Sequence, residues 1–128
     1  MKFIFTLACI ASLLIASSFT GLTGLDDVIS ALRKGDATEI SKYVDDNIEI
    51  RLPDRSDSYS KAQAVLILRD FFINNGVKGF TVEHKGDKGG SQFCIGTLLT
   101  RSGNYRTIVF MKTKNGRQLV KEIRFKPE

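Results

Sequence analysis

The sequence contains no tryptophan, two cysteines, two prolines and one histidine among 128 residues. Cys9 lies in an N-terminal segment that we expect to be removed, which leaves Cys94 without a partner for a disulfide within the chain. One histidine and one cysteine, with no acidic cluster at ligand spacing, cannot fill a tetrahedral metal site. The glycine-rich stretch from Gly86 to Gly90 lacks the spacing of a phosphate-binding loop. We therefore expect neither a metal nor a cofactor.

Long blocks of like charge are also absent. The chain has 19 Lys and Arg against 14 Asp and Glu, a formal net charge of +5, but the two signs are interleaved along the sequence. Nucleic-acid-binding domains concentrate their basic residues on one face or along one helix. We therefore expect a solvated surface of mixed sign and no nucleic-acid partner.

No apolar run is long enough to span a membrane comfortably. The run from Phe3 to Ile15 has roughly 13 residues, whereas a spanning helix needs about 20. It follows Lys2 and precedes small residues at Ala16, Ser17 and Ser18, which is the pattern of a secretory signal peptide. We expect a signal peptide at 1–18, a mature N-terminal tail at 19–24, a single domain at 25–128, and export to the periplasm or the exterior without a stable membrane span.

Apolar spacing and capping residues predict two short helices at the start of the domain. Apolar residues three and four positions apart indicate a first helix from Leu25 to Lys34, which Gly35 ends. Asp36 followed by Glu39 is typical of a capping box and opens a second short helix.

A strand and a longer helix come next. Alternating apolar residues from Asn47 to Leu52 predict a strand with one buried face. Ser60 with Gln63 indicates a capping box that opens a helix from Lys61 to about Asn74. Because apolar residues cover most of its circumference, we expect this helix to be buried on nearly all sides.

The rest of the chain predicts a meander of four strands. Ser102-Gly103 and Asn115-Gly116 are two-residue hairpin signals, and counting from them fixes the register. This count predicts one interior face formed by Phe93, Ile95, Leu99, Ile108, Phe110, Leu119, Ile123 and Phe125. The opposite face is more apolar than a water-exposed sheet usually is, so we expect a homodimer to cover it through Leu98, Tyr105, Val109, Met111 and Val120.

Four polar residues fall on the predicted interior face: His84, Thr97, Arg106 and Lys121. Burying such groups unpaired costs about 1 to 3 kcal/mol each, so they either face a wet pocket or pair with neighbours at the rim of the sheet. We take them as candidate ligand-binding residues. Arg106 suits a carboxylate or phosphate at a pocket mouth.

Several short stretches accompany this order of elements: Gly35-Asp36, Tyr59-Ser60-Lys61-Ala62, Asp70-Phe71-Phe72, Ile95-Gly96-Thr97-Leu98 and Glu122-Ile123-Arg124-Phe125. With them the chain resembles the nuclear-transport-factor-2-like superfamily, and in particular an uncharacterised family of small exported bacterial proteins. The resemblance implies an α+β cone in which N-terminal helices pack on a strongly bent, mainly antiparallel sheet. It also implies a small-molecule pocket at the open end and dimers through the outer sheet face.

The resemblance carries over no catalytic residue. In ketosteroid isomerase the general base is an Asp that immediately precedes a Pro after the first strand. This chain has Leu52 before Pro53 at the corresponding place, and Leu cannot accept a proton. The isomerase's oxyanion-stabilising Tyr has no counterpart in the first helix, and scytalone dehydratase would need His-carboxylate pairs. We expect an exported, non-catalytic binding or scaffold module with a small cone pocket. The alternatives are an isomerase-, dehydratase- or cyclase-like enzyme using His84 as its acid or base, and a small inhibitor or immunity-type protein.

Overall fold

A computed structural model of the chain describes residues 24–128, so the predicted signal peptide and most of the predicted tail lie outside the described residues. Two short helices, two strands, a longer helix and a four-stranded meander follow one another along the chain. The elements are α1 (Gly24–Lys34), α2 (Ala37–Ser41), β1 (Val44–Arg51), β2 (Ser56–Ser60), α3 (Lys61–Asn75), β3 (Val77–Lys88), β4 (Ser91–Thr100), β5 (Gly103–Lys114) and β6 (Arg117–Pro127).

One six-stranded sheet, in the order β2-β1-β6-β5-β4-β3, carries all three helices on one of its faces. Neighbouring strands are antiparallel except β1 and β6, which are parallel because the chain crosses over between them through α3 and the meander. No helix within residues 24–128 is both long and apolar enough to cross a membrane. The predicted α+β architecture is confirmed.

Side-chain caps fix where α2 and α3 start, and a glycine fixes where α3 stops. The Asp36 carboxylate accepts a hydrogen bond from the Glu39 N–H at 3.0 Å, which opens α2. At α3 both bonds of the predicted capping box between Ser60 and Gln63 are present. The helix ends at Gly76, whose φ of 69° is left-handed and therefore favours glycine.

The prediction that α3 is buried on nearly all sides is wrong. One face packs on β1 and α2 and buries residues such as Leu68 and Phe72. The opposite face leaves Leu66 53% and Ile73 66% exposed. An apolar residue on every side of a helix does not reveal how many sides the fold will cover.

The predicted orientation of the sheet is also wrong for β4 and β5. The face beneath the helices holds four residues of the predicted outer dimer face, namely Leu98, Val109, Met111 and Val120. Cys94 lies there too, and none of these five side chains has exposed surface. Residues assigned to the interior lie on the outer face, where Phe110 is 42% exposed and Phe93, Ile95, Leu99 and Ile108 are half-buried. Both faces are apolar, so alternation identified which residues share a face but not which face the helices cover.

The β4–β5 turn shows why the first register count failed. The turn residues are Arg101 and Ser102 instead of the predicted Ser102 and Gly103, so Leu99 lies opposite Asn104. Their backbone N–H groups donate to the carbonyls of Gly76 and Asn75, at 2.9 and 3.3 Å. The turn position is therefore set by a contact with the end of α3, which is distant in sequence.

The Asn115-Gly116 hairpin is confirmed, but a bulge changes the faces further along β6. Lys114 pairs with Arg117 as predicted, and the register then shifts by one residue between Phe110 and Met111 of β5. The extra residue in β6 is Lys121. This bulge allows Val120 on one side of it, and Ile123 and Phe125 on the other, to point to the core. The interior positions of Ile123 and Phe125 are confirmed, whereas Leu119 is only half-buried.

The bulge is held by ion pairs to Asp45, a carboxylate that is only 6% exposed. Asp45 accepts hydrogen bonds from Lys121 Nζ at 2.9 Å, the Asp46 N–H at 2.8 Å and Lys114 Nζ at 3.2 Å. The pKa of Asp45 is lowered to about 2, chiefly by the hydrogen bond from Lys121 and then by those from the Asp46 N–H and Lys114. Burial acts in the opposite direction. The cluster joins β1, β5 and β6.

This pKa predicts how stability depends on pH. Because folding lowers the pKa of Asp45 from 3.8 to about 2, its contribution is fully present above 3.8 and is lost as the pH falls toward 2. The Asp45→Asn variant should therefore be less stable than wild type at neutral pH, by a margin that shrinks across this window. Urea-unfolding midpoints of both proteins at several pH values measure the margin, and a margin independent of pH would contradict the assignment.

Candidate functional site

A cleft of ≈ 270 Å³ opens at the end of the molecule where β1 turns into β2 and α3 ends. Three parts of the chain form its walls: the β1–β2 loop, the second half of α3 and the start of β5. Its lining residues are Leu52, Pro53, Asp54, Arg55, Ile67, Asp70, Phe71, Asn74, Asn75 and Tyr105.

The loop wall is a short, closed hairpin tip. Arg51 pairs with Ser56, and the Leu52 N–H donates to the Arg55 carbonyl at 2.7 Å. Pro53 fixes its own φ and restricts Leu52 before it, so the tip has few alternative conformations. The loop therefore places Asp54 and Arg55 at the cleft rim on a rigid support.

Asn75 ties the other two walls together. Its Nδ2 donates to the Phe71 carbonyl at 2.8 Å, and its Oδ1 accepts hydrogen bonds from Ser102 Oγ at 2.5 Å and from the Tyr105 hydroxyl at 2.8 Å. One amide thus fixes Tyr105 and the β4–β5 turn to the last turn of α3. The aromatic side chain of Tyr105 is positioned before any ligand arrives.

The cleft floor is aromatic. The Phe71 ring meets Tyr105 edge to face, with centroids 5.1 Å apart, and lies 4.7 Å from the Phe125 ring behind it. Such packing holds rings in one orientation. The floor therefore offers a fixed apolar surface to a bound molecule.

The cleft rim is charged, and its charges are not used within the described part of the chain. Asp54, Arg55 and Asp70 are exposed, and none forms an ion pair with any residue of 24–128. Elsewhere, exposed charges are often paired, as in Lys42 with Glu39 at 2.9 Å. The rim can therefore give charge-assisted hydrogen bonds to a ligand without first breaking an internal pair.

None of the four predicted pocket residues lines this cleft. Thr97 and Arg106 do lie together, but on the outer face, where Arg106 is 3.6 Å from the Glu83 carboxylate. The Thr97 hydroxyl lies 2.9 Å from the Glu83 carboxylate and 3.1 Å from that of Glu128. Both residues therefore belong to a polar network at the surface of the sheet.

His84 and Lys121 lie apart from that network and from each other. His84 is exposed on the outer face, with its ring 5.5 Å from that of Phe93. Lys121 forms the bulge ion pair with Asp45. These four residues therefore do not form the predicted interior pocket. The face of the sheet that carries Thr97 and Arg106 is the outer one, opposite the helices.

The predicted dimer face needs the same correction. Leu98, Val109, Met111 and Val120 have no exposed surface in a single chain, since α1 to α3 and the sheet enclose them. They cannot contact a partner without unfolding. Tyr105 is half-buried and faces the cleft, where its hydroxyl bonds Asn75.

A second cleft, of ≈ 260 Å³, lies where α1 begins and the β3–β4 hairpin ends. It has no aromatic lining, and Lys85 Nζ lies 3.3 Å from the Asp26 carboxylate across it. Among residues 24–128 no three His, Cys, Asp or Glu side chains are grouped so as to hold a metal ion. The cleft with the aromatic floor is therefore the better candidate site.

One sequence signal pointed to part of this cleft. The superfamily resemblance placed a functional position at Leu52, just before Pro53, and Leu52 does line the cleft. Asp70 and Asn75 carry no comparable signal, because ordinary polar residues near a helix end give no indication of what packs opposite them.

Comparison with known proteins gives the same architecture. The family model described as domain of unknown function (DUF4783) matches residues 25–126. A DUF4783 family protein of Bacteroides ovatus has a crystal structure with a TM-score of 0.77 at 36% identity, over 80% of this chain and 93% of that one. One from Bacteroides uniformis gives a TM-score of 0.78 at 30% identity, over 80% and 95%.

More distant structures share the fold alone. A nuclear-transport-factor-2-like protein of unknown function from Cytophaga hutchinsonii gives a TM-score of 0.59 at 10% identity, over 81% of this chain and 86% of that one. No curated protein matches the sequence. The fold is therefore nuclear-transport-factor-2-like, as the sequence resemblance implied.

Proposed function

This chain belongs to the family described as domain of unknown function DUF4783, and on that premise we propose that it is an exported, non-catalytic binding module whose ligand occupies the cleft over Phe71 and Tyr105. One observation carries the proposal: a prepositioned aromatic floor meets a rim of charges that form no ion pair with any residue of 24–128. Binding sites for small molecules combine an apolar surface with a few well-placed polar groups.

The enzymatic alternative has less support. It requires His84 to open onto an interior cavity beside a second polar group, and His84 instead lies exposed on the outer face beside Phe93. The cleft lining contains no histidine, cysteine or lysine. Its carboxylates and guanidinium suit the holding of a ligand by charge-assisted hydrogen bonds.

The cleft proposal is tested by ligand-observed and protein-observed NMR with a panel of small amphipathic compounds. Binding should shift the backbone amides of Ile67, Phe71 and Tyr105 and leave those near Lys85 unchanged. Tyr105→Ala should weaken the response, since it removes half of the aromatic floor. If the panel shifts no cleft amide at millimolar concentration, the cleft is not a binding site for such molecules.

Export rests on the N-terminal pattern of Lys2, the apolar run and the small residues that follow. The protein recovered from the cell envelope or medium should have lost about the first 18 residues, which its intact mass measures. A full-length cytoplasmic product would contradict this part of the proposal.

The scaffold role is best supported by the outer sheet face, for which the occupant we propose is a second copy of this chain. The Phe110 ring there is 42% exposed and lies 6.2 Å from that of Phe93. Both charge signs surround the rings, with Glu122 bonded to Arg51 and Arg124 at 3.5 and 3.3 Å. Two identical faces of mixed sign can meet without net repulsion.

Sedimentation of the wild-type protein should show a dimer at tens of micromolar, and Phe110→Glu should make it a monomer. Leu66→Glu, at an apolar position on α3 that is 53% exposed, is the matched control and should leave the dimer intact. A wild-type monomer at these concentrations would contradict the interface.

A further inference from the structure

We infer that the cleft selects a small zwitterion, namely an α-amino acid with an aromatic or branched apolar side chain. This inference rests on the proposed function and names its ligand class. It depends on the signs of the rim charges, on the two walls that carry them and on the size of the space between.

The rim is more negative than the rest of the chain. The protein as a whole carries a formal net charge of +5, yet the cleft lining holds two carboxylates, Asp54 and Asp70, and one guanidinium, Arg55. Two carboxylates against one guanidinium make the rim locally acidic, so an ammonium group is favoured there. A phosphate or a dicarboxylate would meet two like charges for one opposite charge.

The positive charge on the rim has a separate task. Arg55 follows Asp54 on the rigid loop tip, and it has no carboxylate partner within residues 24–128. A free guanidinium pairs well with a carboxylate, because its planar donors match the two oxygens. A ligand that carries an ammonium and a carboxylate on neighbouring atoms can satisfy both signs at once.

The space limits the size of the ligand. At ≈ 270 Å³ the cleft lies just below the range of about 300 to 1,000 Å³ that takes drug-sized molecules. One amino acid fits such a volume, with its side chain against Phe71 and Tyr105. Both rings line the cleft, and the apolar surface they offer suits an aromatic or branched apolar side chain.

The experiment titrates isotope-labelled protein with three probes of the same shape: L-phenylalanine, phenethylamine, which keeps only the ammonium, and hydrocinnamate, which keeps only the carboxylate. Shifts at the amides of Ile67, Phe71 and Tyr105 give each Kd. L-Phenylalanine should bind about two- to fivefold more tightly than either single-charge analogue, the gain expected from one more partly exposed charge pair.

Variants assign each charge. Arg55→Gln should weaken L-phenylalanine and hydrocinnamate by similar factors and leave phenethylamine unchanged or tighter. Asp70→Asn should weaken L-phenylalanine and phenethylamine and spare hydrocinnamate. Arg117→Gln and Asp87→Asn make the same charge changes at exposed positions away from the cleft, and they should alter none of the three affinities.

The outcomes separate the two levels of the account. If phenethylamine or hydrocinnamate binds as tightly as L-phenylalanine, the zwitterion inference is overturned while cleft binding stands. If none of the probes shifts the cleft amides but other apolar compounds do, the inference again fails and the binding module remains. If nothing binds there at all, both fail.

Discussion

Replacing Met111 by glutamate should destabilise the domain strongly. Met111 has no exposed surface and lies on the core face of β5 beneath α1, so the variant would lose a packed apolar side chain and bury a charge without a partner. Those two effects together amount to roughly 3 to 5 kcal/mol or more. Since domains of this size are stable by about 5 to 15 kcal/mol, a large share of the fold's stability would be lost.

The matched control is Phe110, the residue that precedes Met111 in the strand. Phe110 is 42% exposed on the opposite face, so Phe110→Glu should change the free energy of unfolding by no more than about 1 kcal/mol. Urea unfolding followed by circular dichroism measures both variants, at a protein concentration low enough for the wild-type chain to be monomeric. Equal losses, or a larger loss for Phe110→Glu, would show that the two faces of β5 are assigned the wrong way round.

Replacing Gly96 by alanine should be nearly as damaging, for a different reason. An added Cβ would lie 2.4 Å from the Thr81 carbonyl oxygen and 2.5 Å from Phe80 Cζ. The carbonyl belongs to the paired strand β3 and the ring to the core, so neither can move freely. Over-packing of this kind costs roughly 2 to 3 kcal/mol, which should lower Tm by about 10 to 20 °C.

Gly79→Ala is the control for this prediction, because it makes the same change in the same strand pair. There the nearest atom to an added Cβ, apart from the chain neighbours, is Leu99 Cδ1 at 3.7 Å, an ordinary contact. The variant should be as stable as wild type or slightly more stable. Thermal unfolding of both proteins decides the matter, and a harmless Gly96→Ala would mean that β3 and β4 do not approach so closely.

The local elements of this fold could be predicted because their signals are local. The capping box of Ser60 and Gln63 and the Asn115-Gly116 turn involve residues at most three positions apart, and both are found as predicted. The order of helices and strands follows from such signals, and it was sufficient to indicate the superfamily.

The orientation of the sheet could not be predicted in this way. Alternation correctly grouped Ile95 with Ile108, which lie opposite each other, but it carries no information on which face the helices cover when both are apolar. The bulge at Lys121 is stabilised by Asp45 of another strand, so nothing in the local sequence of β6 reports it.

The cleft was missed for a related reason. Its walls come from a hairpin tip, a helix end and the start of a strand, and Asn75 joins two of them through hydrogen bonds to Ser102 and Tyr105. Those contacts span about a quarter of the chain. The same polar residues on a different packing arrangement would be ordinary surface residues, so only the tertiary structure distinguishes them.

The accessibility of Cys94 tests the assignment of the sheet faces, on which the cleft and the outer interface both depend. In a Cys9→Ser chain Cys94 is the single thiol; it has no exposed surface, and burial raises its pKa to about 11. At a protein concentration low enough for the chain to be monomeric, it should react with a thiol reagent only as fast as the protein unfolds. Phe110→Cys, placed in a chain that also carries Cys94→Ala, should react at once under the same conditions. Rapid labelling of native Cys94, at the rate of the Phe110→Cys thiol, would contradict the account.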